Sequence, residues 1–275
     1  MKFFGITVLL IVLFSGVNAQ YYYQDILSTR QTNQQYKLLR NFAIKKITAT
    51  SYDGDELLKD FMLEQTISDD GKQIMTRSAS INNEESYFIS TFNLNRVAHT
   101  VDSSKNAINT VDYTYDNAGK IMEINSGSKD FDGTYNSTEN HLWNYNDKGQ
   151  PGQMMKIKNT TDSTTVTFSY DENENVSEER WQKNSRLIET YYYYYNAKKQ
   201  LTDIVRFSAK AQKLLPDFMF EYDNTGHLGQ MIQRQDGIAN YLIWKYAYNT
   251  DGLKIKETAY NKKREEMGRI EYKYK

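Results

Sequence analysis

One tetrad recurs through the second half of the chain: an aromatic residue, any residue, Tyr, then Asp or Asn. It reads Tyr113-Thr114-Tyr115-Asp116, Trp143-Asn144-Tyr145-Asn146, Phe168-Ser169-Tyr170-Asp171, Tyr193-Tyr194-Tyr195-Asn196, Phe220-Glu221-Tyr222-Asp223 and Tyr246-Ala247-Tyr248-Asn249. Tyr272-Lys273-Tyr274 closes the series. The repeated Tyr falls at 115, 145, 170, 195, 222, 248 and 274, a period of 25 to 30 residues. A fixed period of this size means an array of similar supersecondary units.

Within each unit the large residues alternate. Val111, Tyr113 and Tyr115 share one parity; so do His141, Trp143 and Tyr145, and Tyr191, Tyr193 and Tyr195. The positions between them are mostly polar, as in Asp112 and Thr114 or Glu271 and Lys273. A period of two predicts a strand with one buried and one solvated face. After the Tyr comes Asp or Asn, two residues, then Gly at Gly119, Gly149, Gly226 and Gly252. The Asx side chain can bond its own backbone two residues on, and Gly supplies a positive φ at the exit, so a tight hairpin turn is predicted. The unit of Tyr170 and the unit of Tyr195 lack this Gly. A second strand follows, with an apolar residue six after the Tyr: Ile121, Val176, Leu201 and Leu228. Pro151 takes that place in one unit and predicts a local irregularity.

Strand, turn, strand and connector at this period give an all-β fold: a repetitive antiparallel meander of about 14 to 18 strands. An open sheet rarely exceeds about ten strands without curling. A large twisted or curled sheet is therefore expected, closing toward a shell. Helical solenoids want a different periodicity, and propeller blades a longer one. Earlier units look degenerate, around Ile67-Ser68-Asp69-Asp70-Gly71 and Phe92-Asn93-Leu94-Asn95, with Tyr52-Asp53-Gly54-Asp55 a weaker echo. The β-repeat domain is placed at 50–275, with degenerate units over 50–110 and clear ones over 111–275. Residues 20–49 fit no unit and read as a short helix or irregular lead-in.

The Tyr-Asp-x-x-Gly-x-Leu rhythm resembles the YD repeats of the RHS family. Tyr222-Asp223-Asn224-Thr225-Gly226-His227-Leu228 matches that core at every fixed position, and Tyr115 to Ile121 matches with Ile for Leu. In large RHS and toxin-complex proteins such repeats build a β-sheet shell around a toxic cargo. This chain departs from them in its longer period and in lacking the RHS-core cleavage motif. It is too short to enclose a protein domain. It more closely resembles the small, secreted YD-repeat-like proteins of Gram-negative commensal bacteria. The resemblance implies an architecture and carries over no catalytic residue.

Residues 1–19 read as an export signal: Lys2 first, an apolar run from Phe3 to Phe14, then Val17-Asn18-Ala19 at the cleavage site. There is no Cys, so no lipoprotein anchor and no disulfide framework. The reading is a secreted or periplasmic protein without a transmembrane helix. With 34 basic and 35 acidic residues, no field draws it to nucleic acid. Three His and no dense Asx ligand spacing leave no metal site, and no motif asks for a cofactor. No nucleophile, P-loop or dinucleotide signature is present, so no catalytic residue is assigned. His141, on the aromatic face, reads as a hydrogen-bonded structural residue.

The remaining feature is the Tyr content, 23 against 12 Phe. Most of it belongs to the ladder, where the ring packs and the hydroxyl is expected to reach water. Tyr192 and Tyr194 fall on the opposite, polar face, where Leu142 and Met219 are the other apolar breaks. These four are the candidate binding residues. The leading functional reading is a non-enzymatic β-repeat protein that binds a glycan or a cell-surface protein through aromatic residues. The alternatives are a structural scaffold of the envelope without a specific ligand, and a glycan-active hydrolase. Nothing in the sequence sets an oligomeric state.

Overall fold

The computed structural model describes residues 21–79, 84–104, 106–235 and 240–275. The predicted export signal lies outside them. Among the described residues one helix, α1 (Gln24–Asn41), is followed by nineteen strands. The first nine are β1 (Lys46–Asp53), β2 (Glu56–Leu57), β3 (Met62–Ile67), β4 (Gln73–Ala79), β5 (Glu85–Asn93), β6 (Arg96–Ser103), β7 (Ala107–Tyr115), β8 (Ile121–Asp130) and β9 (Asn136–Tyr145). Then come β10 (Pro151–Lys158), β11 (Asp162–Tyr170), β12 (Val176–Lys183), β13 (Arg186–Tyr195) and β14 (Leu201–Ser208). The last five are β15 (Lys213–Tyr222), β16 (Leu228–Arg234), β17 (Tyr241–Tyr248), β18 (Lys254–Tyr260) and β19 (Glu266–Tyr274).

The pairing is an antiparallel meander, and it closes. β1 pairs with β3 on one side and with β19 on the other, while the short β2 pairs with β1 alone. Eighteen strands thus form a closed barrel, and the seam runs from Ile47↔Tyr274 to Tyr52↔Arg269. Closure goes beyond the curled sheet read from the sequence and removes the free edges at which open sheets aggregate. The first residues of β1 lie beside Tyr274, so Tyr52-Asp53-Gly54 sits at the rim opposite the repeated turns. It is not an echo of them.

Six of the seven clear units carry the same bulge. Tyr115 pairs with Ile121, but Thr114 pairs with Glu123, so one residue is skipped. The skip recurs beside Tyr145, Tyr170, Tyr195, Tyr222 and Tyr248. The irregularity predicted at Pro151 is present, as a register shift between Pro151 and Gln153; it is the bulge shared by the neighbouring units, where a missing N–H is tolerated.

The bulge explains the choice of Tyr over Phe. Six of the seven repeated hydroxyls donate to the carbonyl of the bulge residue one unit earlier. Tyr115 reaches Val97 (2.7 Å), Tyr145 reaches Ile121 (2.8 Å) and Tyr170 reaches Pro151. Tyr222 reaches Leu201 (2.8 Å), Tyr248 reaches Leu228 (3.1 Å) and Tyr274 reaches Lys254 (2.6 Å). The expectation that these hydroxyls stay in water is corrected: each closes a backbone acceptor that a bulged ladder leaves open. Tyr195 is the exception, its hydroxyl buried without an acceptor. The degenerate unit at Phe92 has the bulge but no hydroxyl. There Tyr36 of α1 lies flat on the Phe92 ring at 3.8 Å and donates to the Gly71 carbonyl in the preceding turn (2.7 Å).

The turns behave as the spacing predicts. Asp223 Oδ1 accepts from the N–H of Thr225 and of His227, both at 2.9 Å. Asn146 and Asn249 do the same in their own turns. Gly226 sits at φ +92°. Where Gly is missing, Glu174 (φ +65°) and Lys199 (φ +59°) take the left-handed conformation, which is unfavourable for a residue with a Cβ. Gly226→Val is expected to lower stability by about 1–2 kcal/mol. An unchanged denaturation midpoint would remove the conformational argument for this turn.

An eighteen-strand barrel encloses more space than its wall side chains fill. α1, about 27 Å long at 1.5 Å per residue, crosses that space. The segment read as a lead-in is thus the filling of the barrel. Tyr21 and Tyr22, just ahead of the helix, join one core cluster with Trp143, Phe168, Tyr191, Tyr193 and Phe218. Tyr36 and Leu39 near its end join a second with Ile47, Leu63, Phe92 and Ile270.

Candidate functional site

The two faces of the wall differ in kind. The ladder residues point inward and are buried or half-buried. The outward positions carry charges along the wall, among them Glu64, Arg77, Asp112, Arg180, Lys245 and Glu271. A charge facing the middle of a bilayer costs about 2–4 kcal/mol for Arg or Lys. This outer wall is built for water.

Against that background one stretch gathers more strongly exposed apolar side chains. At the start of β13, Leu187 is 59% and Ile188 52% exposed, and Phe207 on β14 is 51% exposed. With Glu189, Thr190 and Tyr192 they line a shallow groove of about 200 Å³. Tyr192 pairs with Val205 on β14. Tyr194, 49% exposed, faces Asp203, which in turn faces Met219 on β15. Three of the four residues selected from the sequence therefore share neighbouring strands. Leu142 does not join them. It lies on β9 between Glu123 and Met155, four strands away, about 19 Å at sheet spacing. Leu187, Ile188 and Phe207 were missed because they sit at strand ends, outside the repeated tetrad.

The inner face holds the polar chemistry. Glu179 on β12 is fully buried and accepts four hydrogen bonds. Two come from the backbone N–H groups of Tyr22 (2.7 Å) and Tyr23 (2.9 Å). The others come from Trp181 Nε1 and the Tyr193 hydroxyl, both at 2.6 Å. α1 has no side-chain N-cap of its own. A carboxylate from the wall serves its positive end instead. Burial pushes the Glu179 carboxyl up, against the pull of those donors.

Next to it, Asp25 in the first turn of α1 accepts from His141 Nδ1 (2.7 Å) and Trp143 Nε1 (3.2 Å). His141 Nε2 meets Glu139 at 3.0 Å, and Lys156 pairs with Glu139 at 2.9 Å. Burial alone would lower the His141 pKa, but Asp25 and Glu139 reverse this and take it to about 9. Burial would raise Glu139, but His141 and Lys156 bring it down to about 2. His141 and Glu139 are thus both charged at neutral pH, and the chain Asp25–His141–Glu139–Lys156 ties the helix to β9 and β10. His141 has the structural role its position implies. Further round, buried Asp217 is held by Arg206 (2.6 Å) and Arg234, and buried Glu257 by the Tyr272 hydroxyl (2.8 Å) and Lys254 (2.6 Å).

The repeat itself contains a signal for the buried glutamates. The position nine after the repeated Tyr faces inward and reads Ile124, Met154, Glu179, Ile204, Met231 and Glu257. Where it is Glu, the next unit places a Tyr, 193 or 272, to donate to it. No group of His, Asp and Glu suited to a metal ion occurs among the described residues.

No family model matches the sequence, and no curated protein is similar to it. Among solved structures, the chain is similar to a porin-like protein from Bacteroides uniformis, with 11% identity over 84% of this chain and 96% of that one, TM-score 0.44. It is also similar to a porin-like protein from Bacteroides vulgatus, with 13% identity over 83% and 97% of the two chains, TM-score 0.31. A third similarity is to a Photorhabdus luminescens Tc holotoxin pore, with 14% identity over 80% of this chain and 12% of that one, TM-score 0.35.

Proposed function

We propose that this is an exported, non-enzymatic β-barrel of the cell envelope or exterior that binds a protein partner through the outer face of β13–β15. One observation carries the reading: Leu187, Ile188 and Phe207 stand together, each more than half exposed, on a wall whose other exposed apolar side chains, such as Met75, Met122, Met155 and Ile255, are each less exposed and interspersed with charges. Contiguous exposed apolar surface on a water-facing protein marks an interaction site. Tyr192 and Tyr194 add rigid aromatic area at low entropic cost. A protein partner fits the three purely apolar lining residues, Leu187, Ile188 and Phe207, while Glu189, Thr190 and Tyr192 supply hydrogen-bonding groups beside them. The YD-like repeat supports the same view, since it builds a body and brings no reactive group.

The test is binding of the mature chain to arrays of cell-surface proteins and of glycans. Leu187→Ser with Phe207→Ser, and separately Tyr192→Ser with Tyr194→Ser, should each weaken a protein hit at least tenfold while leaving the melting temperature nearly unchanged. Glycan hits alone, lost in the same variants, would replace the protein partner with a sugar. Hits insensitive to all four substitutions would sink the site.

A further inference from the structure

We infer that the partner segment seated at the β12–β13 and β14–β15 tips is an acidic peptide, with apolar anchors and with Asp or Glu on the side facing the rim. The inference rests on the partner site proposed above and names the chemistry of what occupies it. The apolar strip does not end at Phe207. Phe207 pairs with Leu214 across the β14–β15 hairpin, and Leu214 is 46% exposed, so the strip runs over both hairpins. Its border is of one sign. Arg186 directly precedes Leu187, Lys213 directly precedes Leu214, and Lys210 lies in the turn between β14 and β15. All three are exposed, and none forms an ion pair among the described residues. The other charges of these hairpin ends are already matched: Lys183 with Asp162 at 2.6 Å, and Glu189 with Arg206 at 3.5 Å. Cations beside an apolar strip, with the nearby carboxylates taken, are answered by carboxylates on the partner.

The fold narrows how such a peptide binds. β13 and β14 are each hydrogen-bonded to a strand on both sides, so no edge is open here for strand addition and recognition falls to side chains. Leu187, Ile188, Phe207 and Leu214 meet the apolar anchors, and the cations at the tips meet the carboxylates. Lower on the wall the sign changes. Asp203, between Tyr194 and Met219, forms no ion pair among the described residues. Carboxylates are therefore favoured at the rim end of the site and disfavoured at the Tyr194 end, which orients the bound segment. An anionic bilayer would meet the tips end-on and fits less well. Tyr192, which lines the groove, lies six residues along β13 from Arg186, about 20 Å at strand rise, beyond a surface resting on the tips.

The probe is a random dodecapeptide library panned on the mature chain. Enriched peptides should carry Leu, Ile, Phe or Trp with Asp or Glu clustered to one side. A synthetic copy of one should bind at least tenfold more weakly to the variant Arg186→Glu with Lys210→Glu and Lys213→Glu. It should weaken as much on wild type as ionic strength rises from about 0.1 M to about 1 M, where the screening length falls from about 10 Å to about 3 Å. The salt series needs no variant, so it decides the matter even if the triple variant fails to fold. Panning the charge-reversed variant should enrich Lys and Arg instead. Peptides that Leu187→Ser with Phe207→Ser abolishes, but that are uncharged or indifferent to salt and to the three reversals, would leave the partner site standing and overturn its acidic occupant. No enrichment, or peptides indifferent to Leu187→Ser with Phe207→Ser, would overturn both. Binding to phosphatidylglycerol vesicles that the three reversals abolish, with no acidic peptide enriched, would assign the cations to a lipid surface and overturn the peptide.

Discussion

Glu179→Ala is expected to destabilise the barrel by about 3–5 kcal/mol, because it leaves four buried donors without their acceptor. The substitution strands the N–H groups of Tyr22 and Tyr23, the Trp181 indole and the Tyr193 hydroxyl in the core at once. Each buried donor left without an acceptor costs about 1–3 kcal/mol. Glu179→Gln retains one carbonyl acceptor and should cost distinctly less. Denaturant unfolding measures the loss. Proteolysis within α1 locates it, because the helix is held at its start by this carboxylate and by Asp25. If Glu179→Ala unfolds within about 1 kcal/mol of wild type, the carboxylate is not the anchor of the helix.

The second large effect belongs to the hydroxyl ladder. Tyr145→Phe, Tyr222→Phe and Tyr248→Phe each uncover one bulge carbonyl, at Ile121, Leu201 and Leu228. A lost hydrogen bond that leaves its partner buried costs about 1–2 kcal/mol, and sites this far apart add. The triple variant should therefore lose about 3–6 kcal/mol. Tyr195→Phe is the internal control. Its hydroxyl is buried without an acceptor, so removing it should be neutral or stabilising. Equal losses at Tyr195 and at the other three positions would mean that ring packing, not the hydroxyl, selects Tyr.

Much of the architecture was legible because the repeat is regular. Period two put Tyr191, Tyr193 and Tyr195 inward and left Tyr192 and Tyr194 outside. The Asx spacing placed the turns. Three things were not legible, for physical reasons. Closure depends on whether β1 meets β19, which is set by accumulated twist and stagger around the whole ring and by no local residue. The role of α1 was hidden because its sequence is polar, rich in Gln, Thr and Asn, and its anchors lie more than a hundred residues away in β9 and β12. The bulge shifts inward parity by one residue. A strict alternation counted from Val176 therefore puts Glu178 and Arg180 inward, whereas the buried side chain is Glu179 and Arg180 is exposed.

The seam has a consequence for the order of events in folding. Ile47 pairs with Tyr274, so the two strands that complete the ring are separated by nearly the entire chain. Hairpins between neighbouring strands can form early and locally, each with little loop entropy to overcome. The last pairing must wait until β19 exists, and until then β1 and the newest strand are both unpaired edges open to other chains. A chain stalled short of its final strand would keep all its hairpins and still be a nucleus for aggregation.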